Sequence, residues 1–408
     1  MNEASPRMNV LQFVPFAVPV PPVSGGAVRV TELARAYEAL GHRVDRVSVS
    51  ATRAKAVETA HGPVSTCVPL VLDWWSRQRR PHVGKPSGLA ELRQMWAAAR
   101  DRDLSRSLAA RLDRRYDLLQ CEHPWNFALA ERLRASLACA GACLVYSAHN
   151  IESELFEAAW RLRGWWTSAA ERLIEQIRAH EITCARGADV CLATSDADAA
   201  QLRGYGARDV VLVPNGVKTL GSRDPAFERP APRYAIFVAS DHAPNVHGFR
   251  EWLPPPLDAL SPQTPIVLVG TVGRAIERTR EYAADIAARR LLTLGVVQRE
   301  RLEQLILHAD AVLLPISEGG GTNLKTAEAL LSRRPVIATR HALRGFEAYA
   351  SESRLTCIDE RGQAFVQRVA ALLHAEPAGD DTRADVSGLT WEAAVEPLAA
   401  WLGRRTRA

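Results

Sequence analysis

Metal and disulfide signatures are the first things this sequence lacks. It has no Cys-x-x-Cys pair and no His-Glu-x-x-His, the spacings that gather thiolates or helical histidines around zinc. Its seven cysteines are an odd number, and Cys67, Cys121, Cys143, Cys191 and Cys357 sit beside apolar, strand-like residues. They read as small buried hydrophobes of a reducing, cytoplasmic compartment. No block of like charge occurs. The net charge of +5 is spread over arginines along helices, which disfavours a nucleic-acid-binding role. There is also no internal repeat, low-complexity tract or heptad run. Residues 8–28 carry no charge and follow Arg7, but Pro15, Pro19, Pro21 and Pro22 exclude a spanning or signal helix there.

What is present fits two α/β units. A chain of 408 residues is too long for one ordinary core, and 47% hydrophobic with 24% charged residues is normal for a folded protein. A strand over 10–14 leads through Ser24-Gly25-Gly26 into a helix whose Val30, Leu33, Tyr37 and Leu40 share a face. Gly41 ends it, and 44–49 is the next strand, giving a βαβ opening. Further strands are expected at 64–71, 116–120, 143–147, 189–193 and 210–213. Helical stretches lie at 88–114 and 126–138, with one long helix over 151–186. After the Pro214-Asn215-Gly216 turn, residues 224–233 hold three prolines and little periodicity, and read as a linker. A second series of strands follows at 234–239, 265–269, 291–296, 310–315, 335–339 and 354–358. Two doubly wound domains would bind ligand outside the carboxyl ends of their strands.

The most informative stretch is Ser317-Glu318-Gly319-Gly320-Gly321-Thr322-Asn323-Leu324-Lys325, which joins the strand at 311–315 to a helix carrying Glu328. Successive glycines let backbone N–H groups approach a ligand, and the helix aims its unpaired amides at negative charge. A plain glycine turn remains the competing reading. The order of strand, glycine loop, helix with Glu328, and strand Pro335-Val336-Ile337-Ala338-Thr339 resembles the donor signature of retaining family 4 glycosyltransferases of the GT-B fold. The likeness extends over nearly the whole chain. It implies two Rossmann-like domains facing a central cleft, with an acceptor domain at 1–222, a linker at 223–233, a nucleotide-sugar domain at 234–388, and a C-terminal helix at 389–408 packing back on the first domain.

That resemblance also implies site residues. Glu328 matches the family glutamate that holds the nucleotide ribose, and the amides of Thr322, Asn323 and Leu324 would meet the diphosphate. The partner glutamate should stand eight positions earlier, where this chain has Gly320; Glu318 is the only nearby acid. A branch of the family with a lysine in this loop makes Lys325 a phosphate contact. Ser240 and Asn245 stand in the turn where many relatives carry an Arg/Lys pair, which is missing here. Asn245 could equally cap its own loop. His149, in Tyr146-Ser147-Ala148-His149-Asn150-Ile151-Glu152, matches the histidine that faces the transferred sugar, and Gly25 and Gly26 occupy the corresponding loop of the first βαβ unit. Catalytic roles thus fall to His149, Glu318 and Lys325. Donor binding falls to Gly25, Gly26, Ser240, Asn245, Gly320, Gly321, Thr322, Asn323, Leu324 and Glu328. No obligatory cofactor or metal is implied beyond the nucleotide-diphosphate sugar itself.

The expected activity is retaining hexosyl transfer to a small-molecule, saccharide or lipid-linked acceptor. A GT-B sugar-nucleotide 2-epimerase and a non-catalytic nucleotide-sugar binder are the alternatives. Two Trp/Arg clusters, Trp74 to Arg80 and Trp160 to Trp166, admit either peripheral contact with the inner face of a membrane or ordinary core packing.

Overall fold

A computed structural model describes residues 7–16, 18–20, 22, 24–50, 68–69, 89–100, 102–112, 114–318, 324–350, 354–376 and 386–405. The chain divides into two compact units, Met1–Pro214 with Ala394–Ala408, and Asn215–Ala393.

The first unit is a parallel sheet of β1 (Asn9–Val14), β2 (Arg43–Ser50), β3 (Val68–Pro69), β4 (Leu118–Glu122), β5 (Cys143–Ser147), β6 (Val190–Ala193) and β7 (Val210–Leu212), in the order β3-β2-β1-β4-β5-β6-β7. β4, β5 and β6 are buried along their whole length, as strands covered on both faces must be. Successive side chains go to opposite cores. Leu11 and Phe13 join Leu119, Leu144 and Tyr146 on one face, while Val10 joins Leu118, Val145 and Val190 on the other. That second face is closed by Leu33 and Tyr37 of the Gly25–Ala39 helix and by Leu398, Trp401 and Leu402 of the Trp391–Arg405 helix. Each of these apolar side chains contributes about 1.5–3 kcal/mol by its burial. Trp401 also donates its indole N–H to Asp209 at 2.9 Å, so the C-terminal helix is pinned to the first sheet.

The long helix expected over 151–186 is two, Glu152–Leu162 and Ser168–Gly187. Gly164 takes φ +67°, which stops the first, and the Thr167 hydroxyl caps the second by accepting from Ala170 N–H at 3.1 Å. Between them Trp160 is fully buried beside Trp125 and Phe156, and the Arg161 guanidinium lies 3.7 Å from the centre of the Trp166 ring. Core packing therefore accounts for this Trp/Arg cluster; the one at Trp74–Arg80 lies outside the described residues. Among the described residues no helix is long and apolar enough to cross a membrane.

The second unit has β8 (Ala235–Val238), β9 (Ile266–Val269), β10 (Leu291–Gly295), β11 (Ala311–Leu314), β12 (Val336–Thr339) and β13 (Leu355–Ile358), all parallel, in the order β10-β9-β8-β11-β12-β13. The stretch 223–233, expected as a linker, belongs to this unit: Phe227 packs its ring 5.1 Å from His308, and Ala231 is buried against the sheet. Cys121, Cys143 and Cys191 are buried as expected, whereas Cys357 is exposed because β13 is an edge strand. Each sheet reverses its strand order once, between β1 and β4 and between β8 and β11. Those reversals place the crevices where parallel α/β sheets bind ligands.

Candidate active site

In the first unit the residues beyond β1, β4 and β5 converge. Ser24 caps the Gly25–Ala39 helix by accepting from Ala27 N–H at 3.3 Å. A Cβ placed on Gly26 would lie 3.3 Å from the Phe16 ring and 3.7 Å from His149 Nδ1, so Gly26 and His149, two of the expected site residues, face each other. His149 follows β5 and is 7% exposed. Its Nε2 meets Glu122 Oε2 at 2.8 Å, and its ring packs against that of His123 with centroids 4.0 Å apart and planes tilted by 36°. His123 takes φ +63° and ψ 166°, a region that non-glycine residues rarely enter and that costs about 1–3 kcal/mol. It is held there by its N–H on the Ser147 carbonyl at 3.0 Å and by Nδ1 against Glu152 Oε1 at 2.6 Å.

Glu122 is the hub. Its Oε1 accepts from Gln12 at 2.7 Å and from Gln120 at 2.5 Å, its Oε2 from His149. Burial pushes its carboxyl up, but the hydrogen bonds from His149 and Gln120 and the Arg29 charge outweigh that and hold it well below the usual carboxylate range. Burial, then the neighbouring His123, push the His149 ring below its ordinary value against the pull of Glu122. Glu122 is therefore the anion and His149 the neutral partner. Because a carboxylate only accepts, His149 Nε2 carries the proton, and Nδ1, facing Gly26, is left as an acceptor. Arg29 is buried and donates to the Val213 carbonyl at 2.8 Å; burial lowers its pKa to about 10, with Glu122 and Asp198 opposing, so it remains a cation.

The second unit is more open. Gly248 lets the Ala243–Trp252 helix abut the end of β11, since a Cβ there would come within 2.2 Å of the Pro315 carbonyl oxygen. That approach sets His247 Nδ1 2.8 Å from Glu318 Oε1. Asn245 is 7% exposed and donates to the Ser240 carbonyl at 3.0 Å and hydroxyl at 3.2 Å, so it braces its own loop and leaves Ser240 exposed. Beyond β11, the Leu324–Leu331 helix carries Lys325 and Glu328 one turn apart. The Glu328 side chain is 24% exposed with Oε1 3.6 Å from the Arg299 guanidinium. Burial raises its pKa against the pull of Arg299 and Lys325, and burial lowers that of Lys325. Leu324 turns its side chain to a cluster with Ala327, Leu330 and Phe346, which leaves its backbone amide as the group it can offer a ligand. Gly320, Gly321, Thr322 and Asn323 lie outside the described residues.

Reading the sequence missed Glu122, His123 and Arg299. Glu122-His123 ends a strand just as His149 does, and the same strand-end rule would have found it. Nothing near Arg299 marks it, because its approach to Glu328 is a tertiary contact. Among the described residues no group of three or more His, Cys, Asp or Glu could hold a metal ion.

Fold and strand-end clusters together define a two-domain α/β protein of the GT-B class. Residues 23–219 match the model for Glycosyltransferase Family 4, and residues 232–375 the model for Glycosyl transferases group 1. The two matches take in most of the chain, which therefore belongs to the GT-B glycosyltransferases of these families and is a glycosyltransferase. No curated sequence matches it. Among solved structures it is similar to sucrose-phosphate synthase (tll1590) from Thermosynechococcus elongatus, at TM-score 0.68 and 18% identity over 98% of each chain. It is also similar to an α,α-trehalose-phosphate synthase (UDP-forming) from Burkholderia vietnamiensis, at 0.62 and 14% over 97% of this chain and 100% of that one. Anabaena Alr3699/HepE in complex with UDP superposes at 0.58 and 15%, over 97% and 100%. At these identities the likeness is one of fold.

Proposed function

We propose that the protein transfers a hexosyl group, with retention, from a UDP-linked sugar held by the second unit to an acceptor recognised by the first. The observation that carries this reading is Glu328. It is a half-buried carboxylate with a raised pKa, beside Lys325 at the start of a helix that follows the central strand β11. A carboxylate so placed accepts from two vicinal ribose hydroxyls and gains charge-assisted bonds that its present 3.6 Å contact with Arg299 does not provide. Lys325 and the amides that open the helix meet the diphosphate and stabilise the negative charge that develops as the glycosidic bond breaks. In the first unit, His149 presents Nδ1 as an acceptor for a sugar hydroxyl, and Gly26 leaves room for that sugar. Attack from the leaving-group side then preserves the anomeric configuration. HepE structures hold UDP and UDP-glucose, which supports the choice of uridine and of a hexose.

The test is thermal stabilisation by UDP-, GDP-, dTDP- and ADP-hexoses in wild type and Glu328→Ala, followed by UDP release with and without acceptors. A UDP-hexose should stabilise wild type preferentially, by a few kcal/mol at saturating ligand, and the variant much less. Equal shifts in both proteins would refute the role of Glu328. UDP release without any acceptor, together with an epimerised sugar, would replace transfer by 2-epimerisation.

A further inference from the structure

We propose that the second unit carries an anion-binding pocket at the amino ends of its strands, built for a phosphorylated small molecule. The cavity has a volume of about 450 Å³, within the range of roughly 300–1,000 Å³ usual for small-ligand sites. Its wall comes from residues that precede the strands: Arg233 before β8, His308 and Asp310 before β11, Arg334 before β12, and Arg354 before β13, with Arg223 and Arg229 reaching in from the preceding loop. Ser240 and Glu318 lie beyond the opposite ends of β8 and β11. A four-residue strand separates the two ends by roughly 13 Å, so this pocket is distinct from the sugar-nucleotide residues.

Five arginines line the cavity against two carboxylates, Asp310 and Glu376. Asp310 is already engaged, with Oδ2 2.5 Å from Arg229 and Oδ1 3.0 Å from Arg233. Arg233 also donates to the Leu372 and Ala375 carbonyls, and Arg354 to the Arg333 carbonyl at 2.6 Å. Helix capping therefore explains part of the cluster. It does not explain Arg223, which is exposed on the wall and makes no hydrogen bond or ion pair among the described residues. Nor does it explain His308, which is 8% exposed and whose Nε2 is buried with no hydrogen-bond partner among the described residues. The exposed Arg223 guanidinium and the buried His308 Nε2, set on a wall with four further arginines, suit a phosphate, whose oxygens pair with arginine forks.

Calorimetric titration of the full chain at constant ionic strength, with inorganic phosphate, pyrophosphate and a hexose 6-phosphate, tests this. Saturable binding is expected. Arg223→Gln should weaken it about threefold and Arg223→Glu at least tenfold, with unchanged circular dichroism because the side chain is exposed, while Lys325→Ala should leave the binding of inorganic phosphate and hexose 6-phosphate intact. Preference among the three probes distinguishes a free phosphate from a phosphorylated sugar. No saturable binding at millimolar concentrations, equal affinity in Arg223→Glu and wild type, or loss of inorganic phosphate and hexose 6-phosphate binding in Lys325→Ala would overturn the proposal.

Discussion

The two strand-end clusters are built on opposite plans. Around Glu122 the polar groups satisfy one another: both carboxylate oxygens are hydrogen-bonded, the histidine tautomer is set, and Glu122 is fully buried. Around Glu328 the groups are spaced and half-exposed, with a raised carboxylate pKa and a lowered lysine pKa. A network complete in itself orients a side chain, here His149, at low reorganisation cost. Half-exposed charges held in a long contact, such as Glu328 and Arg299 at 3.6 Å, gain most when a ligand offers closer ones. The first plan suits positioning and the second suits binding a nucleotide diphosphate.

The contrast breaks most visibly at Glu122. Glu122→Ala strands the Gln12, Gln120 and His149 donors and removes a counter-charge of buried Arg29, at a cost of about 3–5 kcal/mol. A thermal scan should show the transition falling by roughly 10 °C. A drop under about 2 °C would mean that the network is not the frame of the first unit. Gly26→Val should leave the fold intact yet lower kcat/KM by about 10²-fold, because the added carbons press on Phe16 and on the space before His149 Nδ1. Unchanged kinetics would remove Gly26 from the site.

pH sharpens the comparison, because the two clusters respond with opposite signs. The Glu122 pKa is depressed in the folded chain, so its contribution is present above the ordinary value of about 4.3 and is lost as pH falls below it. The His149 pKa is also depressed. The unfolded chain takes up that proton below about pH 6.5 while the folded one resists it, so this contribution too is eroded on acidification. Glu328 runs the other way, since a raised pKa favours the folded state at low pH and loses that advantage as pH rises past the ordinary value. Hydrogen exchange between pH 6.5 and 4 should therefore open amides of β4 and β5 before those of β11 and the Leu324–Leu331 helix. The reverse order would contradict the assignment. The smallest effect is at Arg299. Arg299→Ala should cost under about 1 kcal/mol in stability, as half-exposed ion pairs do, while raising the donor KM a few-fold and moving its acid limb to higher pH as Glu328 loses a cation. An unchanged pH profile would show that Arg299 does not tune Glu328.

Much of the fold was legible because parallel strands buried on both faces must be continuous apolar runs. Cys143–Ser147 was readable to the residue, and most other strands to within one or two. The break at Gly164 was less legible, since periodicity runs on through a helical hairpin while a positive φ redirects the chain. His149 and Glu328 were both found because their neighbours carry a family pattern, His149 in a His-Asn-x-Glu stretch just past a buried strand. Glu122 was passed over because the expected strand stopped at 120, two residues short of it, and Asn245 bears inward on Ser240.

Local chemistry thus fixed by itself where most strands and helices fall, and from those two doubly wound α/β units, because periodicity is a property of neighbouring residues, while the GT-B class followed from the family resemblance of the donor-loop pattern. Tertiary structure alone decided the partners. It joined Glu122 to His149 across 27 positions, Arg299 to Glu328 across 29, and the arginines of 223–233 to the strand origins at 310 and 354. Burial and charge pairing depend on distances in space, and those exist only once the sheets have formed.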